Sequence, residues 1–323
     1  MMGEEQRPIV SVLCMCYNHV QFIATALQSF VDQRFDGAME VVVHDDASTD
    51  GSANIIRDFE VRYPHLIRGI YQTVNQHRIE RGRVTRILYG AARGKYIALC
   101  EGDDHWTDPL KLQKQVDAME ADPNAVGCFT DAWNEHDGVR TSYMDGIYAS
   151  KPEGSILEQR DMVLLRNIPS CTFLFRREHL FPLPEVFPRS PVGDTMLYVH
   201  LTRAGHLRYL RGHTAVRVMH TGGMHALTRR LHRIRVKERL WPLLDEMTEG
   251  RYRSDIDQAF TTMYRREWNM ALQAGDRDVL KHVWSRAVGR RRQMGWGWPT
   301  TLRNLFKAWA PALDRMIGVL RGR

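Results

Sequence analysis

Apolar positions in the first 130 residues switch between two periods. Residues 9–16 form a short run rich in β-branched side chains and close on Tyr17-Asn18-His19, after which Phe22, Ile23, Ala26, Leu27 and Phe30 recur at helical spacing. This pattern predicts a strand followed by a helix. Residues 39–44 repeat the strand signal before Asp45-Asp46, and Ser48-Thr49-Asp50-Gly51 then opens a second helix containing Ile55, Ile56 and Phe59. A third strand fits residues 66–71. A polar stretch over 75–83 leads into a helix to Ala92, a fourth strand over 96–100, the acidic turn Glu101-Gly102-Asp103-Asp104, and a helix from Pro109. The alternation predicts an α/β fold, Rossmann-like, with a mainly parallel sheet flanked by helices. Ligands of such sheets bind beyond the carboxyl ends of the strands, where both acidic pairs fall.

Further along, residues 126–132 predict a strand, 134–155 a polar loop region, 171–175 a strand, 194–203 a helix and 207–220 strand with turns. Beyond Met224 the pattern is helical, with a hinge over 293–299 before a last amphipathic segment. The expected organisation is an α/β domain over 1–223, with the two acidic pairs at its strand ends, and a basic helical extension over 224–323.

Composition changes this picture in three places. From residue 224 onward there are 21 Lys plus Arg against 10 Asp plus Glu, a net +11, which leaves the first 223 residues at −4 within the overall +7. In the last segment Leu302, Leu305, Phe306, Trp309, Leu313, Met316, Ile317 and Leu320 recur every three or four residues among Arg303, Lys307, Arg315 and Arg321. That stripe suits an anionic membrane surface, and packing against the domain or a partner explains it equally. The first ten residues, MMGEEQRPIV, lack the basic then apolar start of a signal peptide, and charged residues interrupt every apolar run short of the ~20 residues a membrane span needs. A cytoplasmic protein is expected, and peripheral contact with the inner face of the plasma membrane is one of the two readings of the last helix. Five cysteines without a C-x-x-C pair read as buried free thiols.

Neither a G-x-G-x-x-G nor a P-loop motif occurs, so phosphate needs another partner. Adjacent carboxylates at a strand end, Asp103 and Asp104, suit a hard divalent cation bridging phosphate oxygens, or one of them caps the next helix. The strings PIVSVLCMCYNHVQFIATALQSFVDQ, VVVHDDASTDGS and GKYIALCEGDDHWTDPLKLQKQV, in this order and spacing, resemble family 2 glycosyltransferases. The resemblance implies a GT-A fold and an inverting transfer from a nucleotide diphosphate sugar, most often a UDP-sugar, to a glycan or lipid-linked acceptor. It also implies a divalent metal, Mn2+ or Mg2+. On the matching positions, Tyr17 and Asn18 join the nucleotide-sugar site, Asp46 receives the base, Asp103 lies near the ribose or sugar, and Asp104 ligates the metal. Pro191-Val192-Gly193-Asp194 is similar to the motif carrying the family's catalytic base, which makes Asp194 the candidate; its other reading is a helix N-cap. Val216 to Gly223 is similar to the family's Tyr-Arg-x-His-x-Gly-Gly segment, with Arg217 expected on the diphosphate and His220 on the metal.

Trp106 either stacks on a sugar or packs beneath the turn. Two rival functions compete with this reading. A sugar nucleotidyltransferase normally carries a glycine-rich basic loop after the first strand, where this chain has Cys14-Met15-Cys16-Tyr17-Asn18-His19. A non-catalytic glycan- or nucleic-acid-binding module would draw on the basic C-terminus, but acidic clusters repel phosphate, so no nucleic acid is expected. The sequence carries no signal for oligomeric state.

Overall fold

A computed structural model describes residues 7–144, 151–164, 168–220, 230–290, 292–295 and 300. The chain divides into two compact units, Met1–Ala226 and Leu227–Arg323. In the first, β1 (Val10–Cys16), α1 (Ile23–Val31), β2 (Met39–Asp45), α2 (Ser52–Arg62) and β3 (Ile67–Tyr71) follow the predicted alternation. The polar stretch then resolves into α3 (Gln76–Ile79) and α4 (Arg83–Ala91), leading to β4 (Tyr96–Leu99), β5 (His105–Trp106), α5 (Lys111–Glu120) and β6 (Ala125–His136). β7 (Val139–Ser142), β8 (Ile156–Leu157), α6 (Gln159–Val163), β9 (Leu174–Arg176), α7 (Gly193–Leu201) and β10 (His206–Val218) complete the unit.

The sheet runs β3-β2-β1-β4-β9-β6-β10-β5, with β7 on β6 and β8 on β10. β3, β2, β1 and β4 are mutually parallel, as are β6 and β10, whereas β9 is antiparallel to both β4 and β6. The central strands are apolar on both faces because helices cover each side: Val12, Val41 and Ala98 on one face and Leu13, Val42 and Ile97 on the other are buried, with Ile23, Leu27, Phe30 and Ile56 packed into the core. All five cysteines are free and buried.

The region expected as a loop over 134–155 is partly sheet. β6 continues to His136, turns through Asp137 (φ 50°) and Gly138 (φ 77°), and returns as β7 in register Asn134↔Thr141. Asp-Gly is a favoured two-residue hairpin turn, and β7 shows no apolar alternation because it is almost wholly exposed. Ser170–Thr172 is likewise a helical turn rather than strand, the strand beginning at Leu174.

The second unit holds α8 (Arg230–Met247), α9 (Arg253–Ala274) and α10 (Arg277–Ala287). Glu238 on α8 accepts from Tyr264 Oη on α9 (2.7 Å) and pairs with His282 Nε2 on α10 (2.9 Å), which ties the three helices at one carboxylate. Among the described residues no helix is long and apolar enough to cross a membrane. The amphipathic stripe over 302–320 and most of the proposed hinge lie outside the described residues, as do Thr221-Gly222-Gly223.

Candidate functional site

The loops after β1, β2 and β4 are tied together at the carboxyl edge of the sheet. Asp46 N–H donates to Cys16 O (2.9 Å) and Gly102 N–H to Met15 O (2.8 Å). Asn18, at φ 56°, donates its N–H to Ser48 Oγ (3.0 Å) and accepts from Thr49 N–H (2.8 Å). Asp50 accepts from Val20 N–H (2.9 Å). Half-buried Tyr17 precedes this cross-tied turn. Asp46 is buried, its oxygens accepting from the N–H groups of Gln76 (2.6 Å) and His77 (3.1 Å). A base reaching Asp46 would therefore meet a carboxylate held in one orientation.

The acidic turn reaches this edge because residue 102 has no side chain: a Cβ there would lie 2.9 Å from Ile23 Cδ1 and 3.1 Å from Met15 O. Asp104 is 4% exposed and accepts from the Val218 N–H (3.0 Å), which fastens the turn to the end of β10. Burial, then the neighbouring Asp103 charge, pushes its carboxyl up to about 7. Asp103 Oδ2 lies 3.1 Å from His220 Nε2 and 3.9 Å from His19 Nε2, and the Phe22 ring packs on His220 at 4.7 Å.

Arg217 is the positive group of the cluster. Its charge opposes the burial that raises the carboxyls of Glu101, Asp104 and Asp194, and its guanidinium lies over the Tyr143 ring at 5.5 Å. Asp194 sits in the first turn of α7 and makes no capping hydrogen bond; Val192 occupies the N-cap position. The carboxyl is open to solvent from a small pocket it shares with Glu101, Ser170 and Tyr89, yet the surrounding protein disfavours its charge and raises its pKa. Sequence reasoning assigned no role to Glu101 or His19, although the first directly precedes the Gly-Asp-Asp turn and the second follows Tyr17-Asn18. Trp106 packs: it is 4% exposed, donates Nε1–H to Cys171 O (2.7 Å) and stacks edge-on with Phe30.

The donor set fits a hard divalent cation in chemistry. Asp103 Oδ1 is buried without a hydrogen-bond partner, and the other oxygen of that carboxylate lies 3.1 Å from the His220 imidazole. Among the described residues no three His, Cys, Asp or Glu side chains form a preformed metal cluster.

A mainly parallel sheet with cross-tied loops and a carboxylate turn at its carboxyl edge defines a GT-A-like nucleotide-sugar fold. The sequence model of Glycosyl transferase family 2 matches residues 11–181, and the chain belongs to that family. The Mycobacterium tuberculosis protein Rv1520 is 36% identical over 222 residues, 67% of this chain and 60% of that protein. The Nostoc glycosyltransferase alr2836 is 29% identical over 185 residues, 57% and 54% of the two chains. This chain thus spans about 60% of the length of the first of these relatives. Among solved structures, S. aureus TarS 1-349 in complex with UDP-GlcNAc superposes with a TM-score of 0.61 at 16% identity, covering 94% of this chain and 88% of that one. The Pyrobaculum calidifontis mannosyltransferase PcManGT, in complex with GDP-Man and Mn2+, gives 0.52 at 18% identity, covering 94% and 86%.

Proposed function

We propose that this chain is an inverting glycosyltransferase that moves a sugar from a nucleotide diphosphate sugar to an acceptor hydroxyl in cell-surface polysaccharide or glycolipid synthesis. One observation carries the reading: Asp104 is anchored to the end of β10 through the Val218 N–H, beside Arg217, whose charge acts on the carboxyls of both Asp104 and Asp194. Family membership and neighbours bound to UDP-GlcNAc and GDP-Man support a nucleotide-sugar donor, UDP-linked by preference.

In this reading Tyr17, Asn18, Asp46 and Asp103 take the nucleotide and sugar, and Arg217 holds diphosphate oxygens. Asp104 and His220 would hold Mn2+ or Mg2+, which supplies charge neutralisation for the departing diphosphate. Asp194 accepts the acceptor proton as the hydroxyl oxygen attacks the anomeric carbon and the nucleotide diphosphate leaves. A raised carboxyl pKa suits this work, because burial makes the group a stronger base than an ordinary carboxylate. The enzyme works at the cytoplasmic face of the membrane in this proposal.

Calorimetry with UDP and GDP tests the metal bridge. Binding is expected with Mn2+ and lost in EDTA, and Asp104→Asn should remove the metal-dependent part of the affinity. Equal affinity with and without metal would refute the bridge.

A further inference from the structure

Past Trp133 the strands β7, β6 and β10 continue as a three-stranded ribbon. The registers Asn134↔Thr141, His136↔Val139 and Arg217↔Asn134 set alternate side chains of the three strands side by side. Arg217, Asn134, Thr141, Val139, His136 and Met219 line an open groove there of about 570 Å³. That volume lies within the roughly 300–1,000 Å³ of small-molecule sites.

Two features relate this groove to the reaction. It begins at Arg217, the residue beside the Val218 N–H that holds Asp104, and Arg217 is the group whose charge acts on Glu101, Asp104 and Asp194. Further, Asn134 Oδ1 is buried with no hydrogen-bond partner among the described residues, although a buried amide oxygen ordinarily accepts a donor. With the amide turned toward the groove, a sugar hydroxyl would supply one. Thr141 adds a hydroxyl, while Val139, 66% exposed, and Met219 offer apolar surface for the C–H face of a pyranose ring. The pocket at Asp194 is far smaller, about 40 Å³, so further rings of an acceptor have to lie elsewhere.

We infer that the ribbon groove binds the acceptor as an oligosaccharide, taking the sugar units that follow the one presented to Asp194. The inference rests on the glycosyltransferase reading and narrows the acceptor to a chain of two or more sugars, free or as a glycolipid headgroup.

The test uses the full-length protein on a glycan array carrying mono-, di-, tri- and tetrasaccharides of glucose, galactose, mannose and N-acetylglucosamine on short spacers, beside octyl glycosides of each single sugar. Retention of oligosaccharides over single sugars is expected. Thr141→Trp fills the groove from an exposed position and should lower retention at least about tenfold; Asn134→Ala, which removes the orphaned acceptor, should act in the same direction. Both variants should bind UDP with Mn2+ as the parent does. Oligosaccharides retained alike by parent and Thr141→Trp, retention of octyl monosaccharides as strong as that of oligosaccharides, or no retention at all would each overturn the inference. Loss of UDP and GDP binding by the parent protein would instead refute the glycosyltransferase reading. A glycolipid source is distinguished by binding of octyl-linked di- and trisaccharides more tightly than their spacer-linked forms.

Discussion

In the proposed mechanism Asp194 takes a proton and Asp104 holds a metal, opposite duties on similar chemistry, and each admits a separate test. A base acts mainly in the transition state, so Asp194→Asn should leave UDP and Mn2+ affinity near that of the parent while slowing sugar transfer by about 100-fold or more. Paired calorimetry and initial rates at saturating donor decide it. A full rate would place the base elsewhere, and joint loss of affinity and thermal stability would mark a structural residue. For Asp104 the folded state holds its proton more tightly than the unfolded chain, because burial and Asp103 raise its pKa to about 7. Its contribution therefore favours the folded protein at low pH and is lost as pH rises from the ordinary carboxylate range through about 7. Glu101, raised by burial and the same acids, adds to this trend. Scanning calorimetry in EDTA should show the parent losing several degrees more than Asp104→Asn between about pH 5 and about pH 8. Parallel curves would remove this account of Asp104.

At the scale of elements, the site depends on how closely β1 and β4 approach. Ser11 Oγ donates to Glu40 (2.6 Å) and accepts from the N–H of Gly94 (2.8 Å), while Arg93 donates Nε–H to the same carboxylate (3.0 Å). A Cβ on Gly94 would lie 2.6 Å from Ser11 N and 2.8 Å from both Tyr96 O and Val10 C, all backbone atoms that cannot swing away. Gly94→Ala should therefore cost about 1–3 kcal/mol by urea unfolding, as overpacked sites do. No change in midpoint would show that the strands yield freely. The hairpin at Asp137-Gly138 teaches a related point. Its turn dipeptide was visible in the sequence, but an exposed strand has no buried face to print an alternating pattern, so β7 was not.

For the whole molecule, charge and topology separate the two units. The basic excess lies entirely after residue 223, and the notion that residues 302–320 lie on an anionic bilayer remains a proposal resting on their stripe and charge. The full chain should sediment with phosphatidylserine-containing vesicles at low salt, and deletion of residues 300–323 should reduce the bound fraction. A parent protein indifferent to such vesicles would assign the segment to packing or assembly.

What the sequence by itself determined is local. β1, β2, β3, β4 and their helices were legible because strand and helix imprint periods of two and 3.6 on nearby residues, and the acidic pairs were legible as strand-end positions. Which of these ends would share a crevice was not written at short range. β9, late in the chain, inserts antiparallel between β4 and β6, and β10 lies beside β6 so that Val218 meets Asp104 across 114 residues of sequence. Only the tertiary structure decided that Val218, next to Arg217, fastens Asp104, that Asp194 stands free of a capping role, and that a groove leads outward along the ribbon. Strand order and register are set by burying the apolar faces of all the elements together, a condition that no single segment of sequence contains.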